Sequence, residues 1–334
     1  MSDVRTVRIL RADDVRASLD MTACIDACDR AFASSAAGGA ETPGVIHLDV
    51  PERSGEIHVK AGHLHGSPFY AVKVASGFPR NAELGLDSSD GMVVVFDTET
   101  GAPAAILLDQ GYITDLRTGA AGGVAARYLA PEKVQIVSVI GTGVQTGYQL
   151  DALATVRPGF TTVRVWGRDP NHAAACVEGL RARPDLPERC SFDVETSVEG
   201  AVAGADVVIT CTASTTALVR SGWLKPGAHV TAVGSDAPNK QELDPDVLSG
   251  ADLLVVDSRA QCAQIGELHH ALAAGVVRED KAVELGEICS SAHPGRTSSD
   301  QLTVCDLTGV GVQDVAAANV VMANAGDRGD VVRL

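Results

Sequence analysis

The chain has 334 residues, of which 45% are hydrophobic and 21% are charged, which is typical of a globular protein with a sizeable core. Its formal net charge of −16 argues against a nucleic-acid partner and against an anionic membrane surface, because both need clustered Lys and Arg. A small anionic substrate stays compatible with this charge, since a local cationic pocket can form in an acidic protein.

The cysteines and the N-terminus indicate a cytoplasmic protein. The eight cysteines are scattered, and they do not form the two closely spaced cysteine pairs of a structural zinc site. Reduced thiols are therefore expected. No metal site is expected, because the histidines are not grouped with carboxylates at ligand spacing. The N-terminal MSDVRTVRILRADD lacks the apolar stretch of a signal peptide, and no apolar run has the length of a membrane span.

The first third of the chain predicts a helix followed by short strands. Residues 12–36 have a helical pattern, with Asp20 as a possible N-cap. Residues 114–130 predict a second helix, which Thr114 caps and Pro131 ends. Between the helices, apolar runs bounded by turn residues predict strands at 45–50, 56–61, 69–75, 92–98 and 103–109. Strands this short and closely spaced favour an antiparallel or mixed sheet.

Two lysines on neighbouring predicted strands need an explanation, because lysine is depleted in strands and is rarely buried without a partner. Lys60 lies in IHVKA and Lys73 in YAVKVA. If the strands pair and both lysines face one side, they form a cationic floor that Arg117 and His47 could join. The alternative is that Lys60 points to solvent from the other face of its strand.

From residue 134 onward, strands alternate with helices, and the strands are almost continuously apolar, which is typical of a parallel α/β sheet. The predicted strands are VQIVSVI, TVRVWG, ADVVITCTA, AHVTAV and ADLLVVD. The last segment predicts a strand in LTVCDLTG and a helix over 312–325. We expect this segment to return to the first domain, which would then be discontinuous.

The clearest motif is a glycine turn between a strand and a helix, in VIGTGVQTG. Gly141 permits the tight turn, Gly143 lets a pyrophosphate approach the backbone, and the helix N-terminus supplies unpaired N–H groups. The third glycine of the G-x-G-x-x-G pattern is replaced by Thr146. The strand before the turn, the helix after it and a second strand about twenty residues later nevertheless predict a dinucleotide site.

The end of that second strand bears on the choice between NAD and NADP. Gly167 followed by Arg168 suits a 2′-phosphate, so the sequence favours NADP(H). The alternative is that Arg168 is a solvated surface residue and that Asp169 faces the ribose.

Five segments, which span nearly the whole chain in order, resemble the ornithine cyclodeaminase/μ-crystallin family. They are AVKVASGFPRNAELGLDSSDG, LLDQGYITDLRTGAAGGVAARYLA, VIGTGVQTGYQLDAL, TAVGSDAPNKQELD and CDLTGVGVQD. The phrases LLDQGYITDLRT and DLTGVGVQD are most similar to the imine-reductase and ectoine-utilisation branches. The resemblance implies a homodimer with an α/β fold. A Rossmann dinucleotide-binding domain over 126–304 would interrupt an α/β substrate and dimerisation domain formed by 1–125 and 305–334.

The resemblance also implies roles for particular residues. Lys73 and Arg117 would hold the substrate α-carboxylate, and Asp236 would be the acid or base, with Lys73 as a second catalytic group. The residues expected to contact the cofactor are Ser88, Arg117, Gly141, Gly143, Val144, Gln145, Arg168, Thr212, Val233 and Lys240. Without the resemblance, Lys73 is typical of an edge strand, Asp236 of a turn and Lys240 of a solvated loop.

Two positions depart from the ornithine enzymes of the family. Lys60 stands where those enzymes have a glutamate that binds the side-chain amine. Two like charges about 4 Å apart repel by about 4 kcal/mol at an effective dielectric constant of about 20, so a lysine there disfavours ornithine. His47 lies near the position at which the family usually has an arginine that binds the substrate carboxylate. A histidine there makes the contact with the carboxylate weaker or more dependent on pH.

The number of cationic groups predicts a substrate with two carboxylates, and iminosuccinate, which gives aspartate, is the best candidate. We therefore predict an NAD(P)H-dependent reductase of a small imino acid. Three alternatives stay open: an ornithine-type cyclodeaminase, against which Lys60 argues; an alanine-type amino-acid dehydrogenase; and a non-catalytic ligand-binding protein, as crystallin-type members suggest.

Overall fold

The computed structural model describes residues 5–334, apart from the side chain of Ala82. The expectation that the N-terminus carries no signal peptide rests partly on residues 1–4, which lie outside the described part. Two compact units form: one extends to Arg117 and includes Val310–Leu334, and the other is Thr118–Gly309. Along residues 5–334, every helix is too short or too polar to cross a membrane.

The elements follow one another along the chain with short connections. The strands are β1 (Thr6–Arg11), β2 (Ala40–Glu41), β3 (Ile46–Val50), β4 (Gly55–Leu64), β5 (Phe69–Gly77), β6 (Ser89–Asp97), β7 (Pro103–Leu108), β8 (Ile136–Ile140), β9 (Thr162–Trp166), β10 (Ser191–Val194), β11 (Val207–Thr210), β12 (Thr215–Val219), β13 (His229–Ala232), β14 (Gln241–Leu243), β15 (Leu253–Val256), β16 (Val283–Glu284), β17 (Thr303–Asp306) and β18 (Asp330–Arg333). The α-helices are α1 (Ala12–Arg16), α2 (Met21–Ala36), α3 (Tyr112–Leu129), α4 (Val144–Val156), α5 (Pro170–Arg181), α6 (Val198–Val202), α7 (Pro245–Ser249), α8 (Arg259–Cys262), α9 (Glu267–Ala273), α10 (Leu285–Cys289) and α11 (Gly311–Asn324).

The first unit is built on a mixed sheet with the strand order β18-β1-β7-β6-β5-β4-β2, in which β3 also pairs with β4. Its strand pairs are antiparallel, except that β1 and β7 run parallel. Alternation along β6 and β7 puts Val93, Val95 and Leu107 on one face, where they are buried. Helix α11 packs on β4 and β5, and α2 packs on α11. The predicted mixed sheet is confirmed.

The predicted helices of this unit need two corrections. Residues 12–36 form two helices instead of one, because Asp20 has an extended backbone, which interrupts the helix, and caps α2 through the N–H of Ala23. The predicted cap at Thr114 is wrong, since α3 already begins at Tyr112. The side chain of Asp109 accepts a hydrogen bond from the N–H of Ile113 at 2.7 Å and satisfies this helix start instead.

The second unit contains a parallel sheet with the strand order β10-β9-β8-β11-β13-β17-β15-β16. Its central strands, such as β11, are buried along their whole length, which explains their continuous apolar sequences. The strand order reverses between β8 and β11. The loops that follow these two strands therefore open a crevice at the carboxyl edge of the sheet, where ligands bind in this architecture.

The C-terminal segment divides between the two units. Strand β17, which we expected to return to the first domain, pairs with β13 and β15 inside the parallel sheet. Helix α11 and strand β18 belong to the first unit, so the returning segment begins at Val310. The other division falls between Arg117 and Thr118, inside α3, whereas the expected boundary lay near the end of that helix.

Candidate active site

A pocket of about 500 Å³ lies in the second unit, at the carboxyl ends of β8, β9, β11 and β13. The predicted residues that line it are Gly141, Gly143, Val144, Gln145, Arg168, Thr212, Val233 and Asp236. Among the lining residues that sequence reasoning did not single out are Trp166, Cys211, Ser214 and Gly234. Their signal is positional, since each follows or ends a strand of the parallel sheet.

The glycine turn has the shape that a pyrophosphate needs. Gly141 has φ of +142°, and a Cβ there would lie 2.7 Å from the carbonyl oxygen of Cys211, so a larger residue would be strained. A Cβ at Gly143 would meet no described atom within 4 Å, which leaves this side of the turn open. Gly143 is the N-cap of α4 and offers no side chain to cap it, so the helix N–H groups remain available to an anion.

Thr146, in the place of the third glycine, supports the turn. Its side chain is fully buried, and Oγ1 donates a hydrogen bond to the carbonyl oxygen of Gly141 at 3.1 Å. The hydroxyl therefore fixes the turn from the side of the protein interior. The departure from the glycine pattern is compatible with a dinucleotide site.

At the end of β9, Arg168 and Asp169 have different surroundings. Arg168 is exposed and lines the pocket. The carboxylate of Asp169 accepts a hydrogen bond from the N–H of Asn171 at 2.8 Å and caps α5. The pocket therefore presents a guanidinium at this strand end, while the neighbouring carboxylate is used for helix capping.

Glu242, which sequence reasoning missed, fixes two walls of the pocket. Its fully buried carboxylate accepts hydrogen bonds from the backbone N–H groups of Thr212 and Gly234 and from the hydroxyl of Thr210. Burial raises the pKa of Glu242 to about 6, against the effect of these hydrogen bonds. The sequence offers no signal for this residue, because its role depends on loops that follow other strands.

Asp236 and Lys240 form an ion pair at the edge of the pocket. Nζ of Lys240 lies 2.6 Å from Oδ1 of Asp236, and the side chain of Asp236 is 43% exposed. Lys240 is not among the residues that line the pocket. Lys240 therefore reaches the pocket through its ion pair with Asp236.

In the first unit, Lys60 and Lys73 are direct partners across the antiparallel pair of β4 and β5. Direct partners point to the same face of a sheet, which excludes the alternative that Lys60 faces the other side. Strand β5 lies between β4 and β6, so Lys73 is on an inner strand and not at an edge. Lys73 is 2% exposed, and Lys60 is half-buried.

Two histidines lie farther along the same sheet face. His47 on β3 is the direct partner of His58 on β4, and their ring centroids are 4.6 Å apart. His58 and Lys60 are two residues apart on one strand and therefore share this face. His47 is exposed, and its Nε2 lies 3.0 Å from Oδ1 of Asp49. Sequence reasoning had not placed His58 near the substrate residues.

Asp314 of α11, which sequence reasoning did not single out, joins the predicted Lys73 and Arg117. Nζ of Lys73 donates a hydrogen bond to Oδ1 of Asp314 at 2.7 Å, and Nε of Arg117 donates to the same oxygen at 3.0 Å. All three side chains are buried. We call Lys60, Lys73, Arg117 and Asp314 the anion site. The contact with Asp314 uses one N–H of Lys73 and leaves Nη1 and Nη2 of Arg117 outside it.

Two glycines bring α11 close enough for this contact. A Cβ at Gly311 would lie 2.4 Å from the carbonyl oxygen of Ala61, and a Cβ at Gly62 would lie 3.0 Å from Cγ2 of Val315. The helix start and β4 therefore touch backbone to backbone. This close packing delivers Asp314, one turn into α11, to the sheet face that carries the lysines.

The charges of the anion site shift one another's ionisation. Burial, followed by the charges of Arg117 and Lys60, lowers the pKa of Lys73 to about 7, and Asp314 opposes this shift. Burial also opposes the charge of Asp314, but Lys73, Arg117 and Lys60 outweigh it and hold the pKa of that carboxyl below its ordinary value. Asp314 is therefore charged, and Lys73 can gain or lose a proton near neutral pH, as acid–base chemistry requires.

Ser88, predicted to contact the cofactor, is exposed in the loop before β6 in the first unit. Its cofactor contact stays a prediction. The substrate contacts of Lys60, Lys73, Arg117 and His47 and the catalytic role of Asp236 also stay predictions.

The sequence matches the model of the ornithine cyclodeaminase/mu-crystallin family over residues 5–329. A protein of Rhizobium meliloti (strain 1021), described only as a dehydrogenase, is 42% identical over 93% of this chain and 92% of its own length. The iminosuccinate reductase of Paracoccus denitrificans in complex with NAD⁺ is 30% identical, with a TM-score of 0.87 over 99% of this chain and 100% of its own. An archaeal alanine dehydrogenase dimer with bound NAD is 32% identical, with a TM-score of 0.89 over 99% of this chain and 100% of its own.

Proposed function

The chain belongs to the ornithine cyclodeaminase/mu-crystallin family and is an NAD(P)-dependent oxidoreductase, and we propose that it reduces a small imino acid. Among such substrates, iminosuccinate suits the anion site best, and its reduction would give aspartate.

The observation that carries this proposal is the anion site. Lys60, Lys73 and Arg117 hold three positive charges when Lys73 is protonated, and Asp314 offsets one of them. The net charge of these four residues is then +2. A substrate with two carboxylates matches this charge better than a monocarboxylate does. A lysine at position 60 also repels the side-chain ammonium of a diamino acid, which argues against a cyclodeaminase.

In this proposal, the two carboxylates bind at different ends of the anion site. Lys73 and Arg117 bind the α-carboxylate, to which Nη1 and Nη2 of Arg117 can donate two parallel hydrogen bonds. Lys60, on the same sheet face, binds the distal carboxylate. His47 is exposed and lies beside Asp49, so it takes an outer position next to the distal carboxylate.

The glycine turn and the pocket around it support a bound nicotinamide dinucleotide, which supplies the hydride for the imine carbon. Gly143 and the N-terminus of α4 would hold its pyrophosphate. The exposed guanidinium of Arg168 supports a preference for NADPH, whose 2′-phosphate it can bind. The imine must be protonated to be a good electrophile. Asp236, which pairs with Lys240, would accept a hydrogen bond from the protonated imine nitrogen.

We also propose a homodimer that uses the outer face of the mixed sheet. This face, opposite to the anion site, exposes Ile46, Leu48, Met92 and Leu108. Apolar side chains exposed on one sheet face are typical of a protein interface. The solved archaeal alanine dehydrogenase is a dimer. The free thiols of all eight cysteines support a location in the cytoplasm.

Nicotinamide absorbance with the purified enzyme tests the proposed function. Oxaloacetate plus ammonia, pyruvate plus ammonia, and L-ornithine are compared, each with both cofactors. Fast NADPH oxidation with the first mixture and slow oxidation with the second are expected. Proline and ammonia formed from ornithine would favour a cyclodeaminase instead, and fast turnover of the pyruvate mixture alone would favour an alanine dehydrogenase. Cofactor binding without turnover of any imine would favour a ligand-binding protein.

A further inference from the structure

We propose that Asp314 is a positioning residue that holds Lys73 protonated and in place, so that Lys73 donates the proton that the imine nitrogen needs. The inference rests on the proposed reduction of an imino acid. It adds the source of the proton and the residue that controls this source.

The geometry of Asp314 is the first support. Its Oδ1 accepts hydrogen bonds from both Lys73 and Arg117, whereas Oδ2 is buried and, among the residues that the structure describes, has no hydrogen-bond partner. A buried carboxylate oxygen without a donor costs free energy and calls for an explanation. A positioning role supplies this explanation, because Oδ1 binds both Lys73 and Arg117 and thereby fixes where Nζ of Lys73 lies.

The surroundings of Lys73 are the second support. The charged and titratable groups around this cluster are Lys60 from β4, Asp109 after β7, Arg117 from α3, Cys24 from α2 and Asp314 from α11. Burial and the two neighbouring cations all favour the neutral amine. Asp314 is the carboxylate in hydrogen-bond contact with Nζ, so it opposes these effects and keeps Lys73 able to carry a proton near neutral pH.

After the proton transfer, Asp314 still has a cationic partner. One N–H bond of the Lys73 ammonium breaks, and an N–H bond forms on the imine nitrogen, while the imine carbon receives the hydride and is reduced. Asp314 and Arg117 then remain as a matched ion pair beside a neutral amine. Lys73 regains its proton from solvent after the product leaves.

A titration of Lys73 in the full-length protein tests the inference directly. The chain has six lysines, so lysine labelled with ¹³C at Cε gives few NMR signals, and Lys73→Arg assigns the relevant one. In wild type the Lys73 signal should titrate at a pKa of about 7. In Asp314→Asn its midpoint should fall by about one unit or more, and Asp314→Glu should restore most of this shift. An unchanged midpoint in Asp314→Asn would overturn the inference.

The pH profile of kcat/KM gives a second readout. Activity should fall with rising pH as Lys73 loses its proton, and this limb should move to lower pH in Asp314→Asn, with kcat reduced more than KM is raised. A purely structural role would lower activity without moving the limb. Thermal unfolding and cofactor titration establish that the variants fold.

Two outcomes separate this inference from the proposed function. If the wild type reduces no imino acid, the proposed function fails, and the titration still decides whether Asp314 controls Lys73. If Asp314→Asn does not fold, the wild-type titration decides, since a Lys73 midpoint near the ordinary value of 10.5 would overturn the role of Lys73 as proton donor.

Discussion

Lys60 and Lys73 face each other directly across β4 and β5, on the sheet face that α11 covers. Like charges in such a pair repel and destabilise the sheet. The buried carboxylate of Asp314, 2.7 Å from Lys73, offsets part of this repulsion. In our proposal the two carboxylates of the substrate offset the rest, so the lysine pair is a binding site for anions.

Asp236→Asn should lower kcat by about 100-fold or more and leave cofactor affinity nearly unchanged. Asparagine keeps the shape of the side chain but loses the charge that stabilises the protonated imine. Steady-state kinetics and a fluorescence titration with NADPH measure the two effects. Asp193→Asn, an equal change at an exposed position on β10, is the matched control. Near-normal turnover would remove Asp236 from the mechanism.

Alanine at Gly141 should mainly lower stability, whereas alanine at Gly143 should mainly weaken cofactor binding. Gly141→Ala should lower the free energy of unfolding by about 1–3 kcal/mol, because its φ is +142° and the new Cβ would contact Cys211. Gly143→Ala should unfold like wild type and bind the cofactor at least about tenfold more weakly, since its methyl group fills the space for the pyrophosphate. Urea unfolding and cofactor titration test the pair, and equal effects of both variants would contradict this account of the turn.

Arg168→Ser should lower the preference for NADPH over NADH by about tenfold or more, because it removes the guanidinium that lines the pocket. The kcat/KM for NADH should change little. Arg189→Ser removes the same charge from an exposed loop of the second unit and serves as the control. An unchanged cofactor ratio in Arg168→Ser would mean that this residue is a solvated surface cation.

His229 should make the second unit less stable in acid. Its ring is fully buried between Thr231 and Thr303, and burial, followed by the charge of Arg296, lowers its pKa from 6.5 to about 3. Below about pH 6.5, this residue therefore binds a proton in the unfolded chain but stays neutral in the folded protein. The free energy of unfolding consequently decreases as the pH falls from about 6.5 to about 3. His229→Asn should be less stable at pH 7 but should lose less stability between pH 7 and pH 4.5. Urea unfolding at both pH values measures the two slopes, and identical slopes would contradict the prediction.

Most of the fold can be predicted from local patterns. The continuous apolar strands of the parallel sheet and the alternating strands of the mixed sheet are properties of neighbouring residues. The strand predicted at 56–61 extends over Gly55–Leu64, since the pairing partner, and not the pattern, sets its ends. The prediction that Thr114 caps the helix was wrong, because the helix begins at Tyr112 and Asp109 accepts the hydrogen bond from the N–H of Ile113.

The site could be predicted only in part, for reasons of chain separation. Gly141, Gly143 and Arg168 lie in one βαβ unit, so their positions in the pocket follow from local sequence. Asp314 lies 241 residues from Lys73, and its contact depends on how α11 packs on the sheet. Glu242 likewise acts on loops that other strands position. Spacing along the chain carries no signal for such contacts.

The specificity ratio of wild type and Lys60→Met tests the central claim most directly. This ratio compares kcat/KM for oxaloacetate plus ammonia with kcat/KM for pyruvate plus ammonia. The wild type should favour the diacid, and Lys60→Met should lower the ratio by about tenfold or more through loss of the distal carboxylate contact. Lys133→Met, the same change at an exposed position of the second unit, should leave the ratio unchanged. A Lys60→Met enzyme that keeps the full wild-type preference for the diacid would contradict the assignment of the lysine pair as a site for two carboxylates.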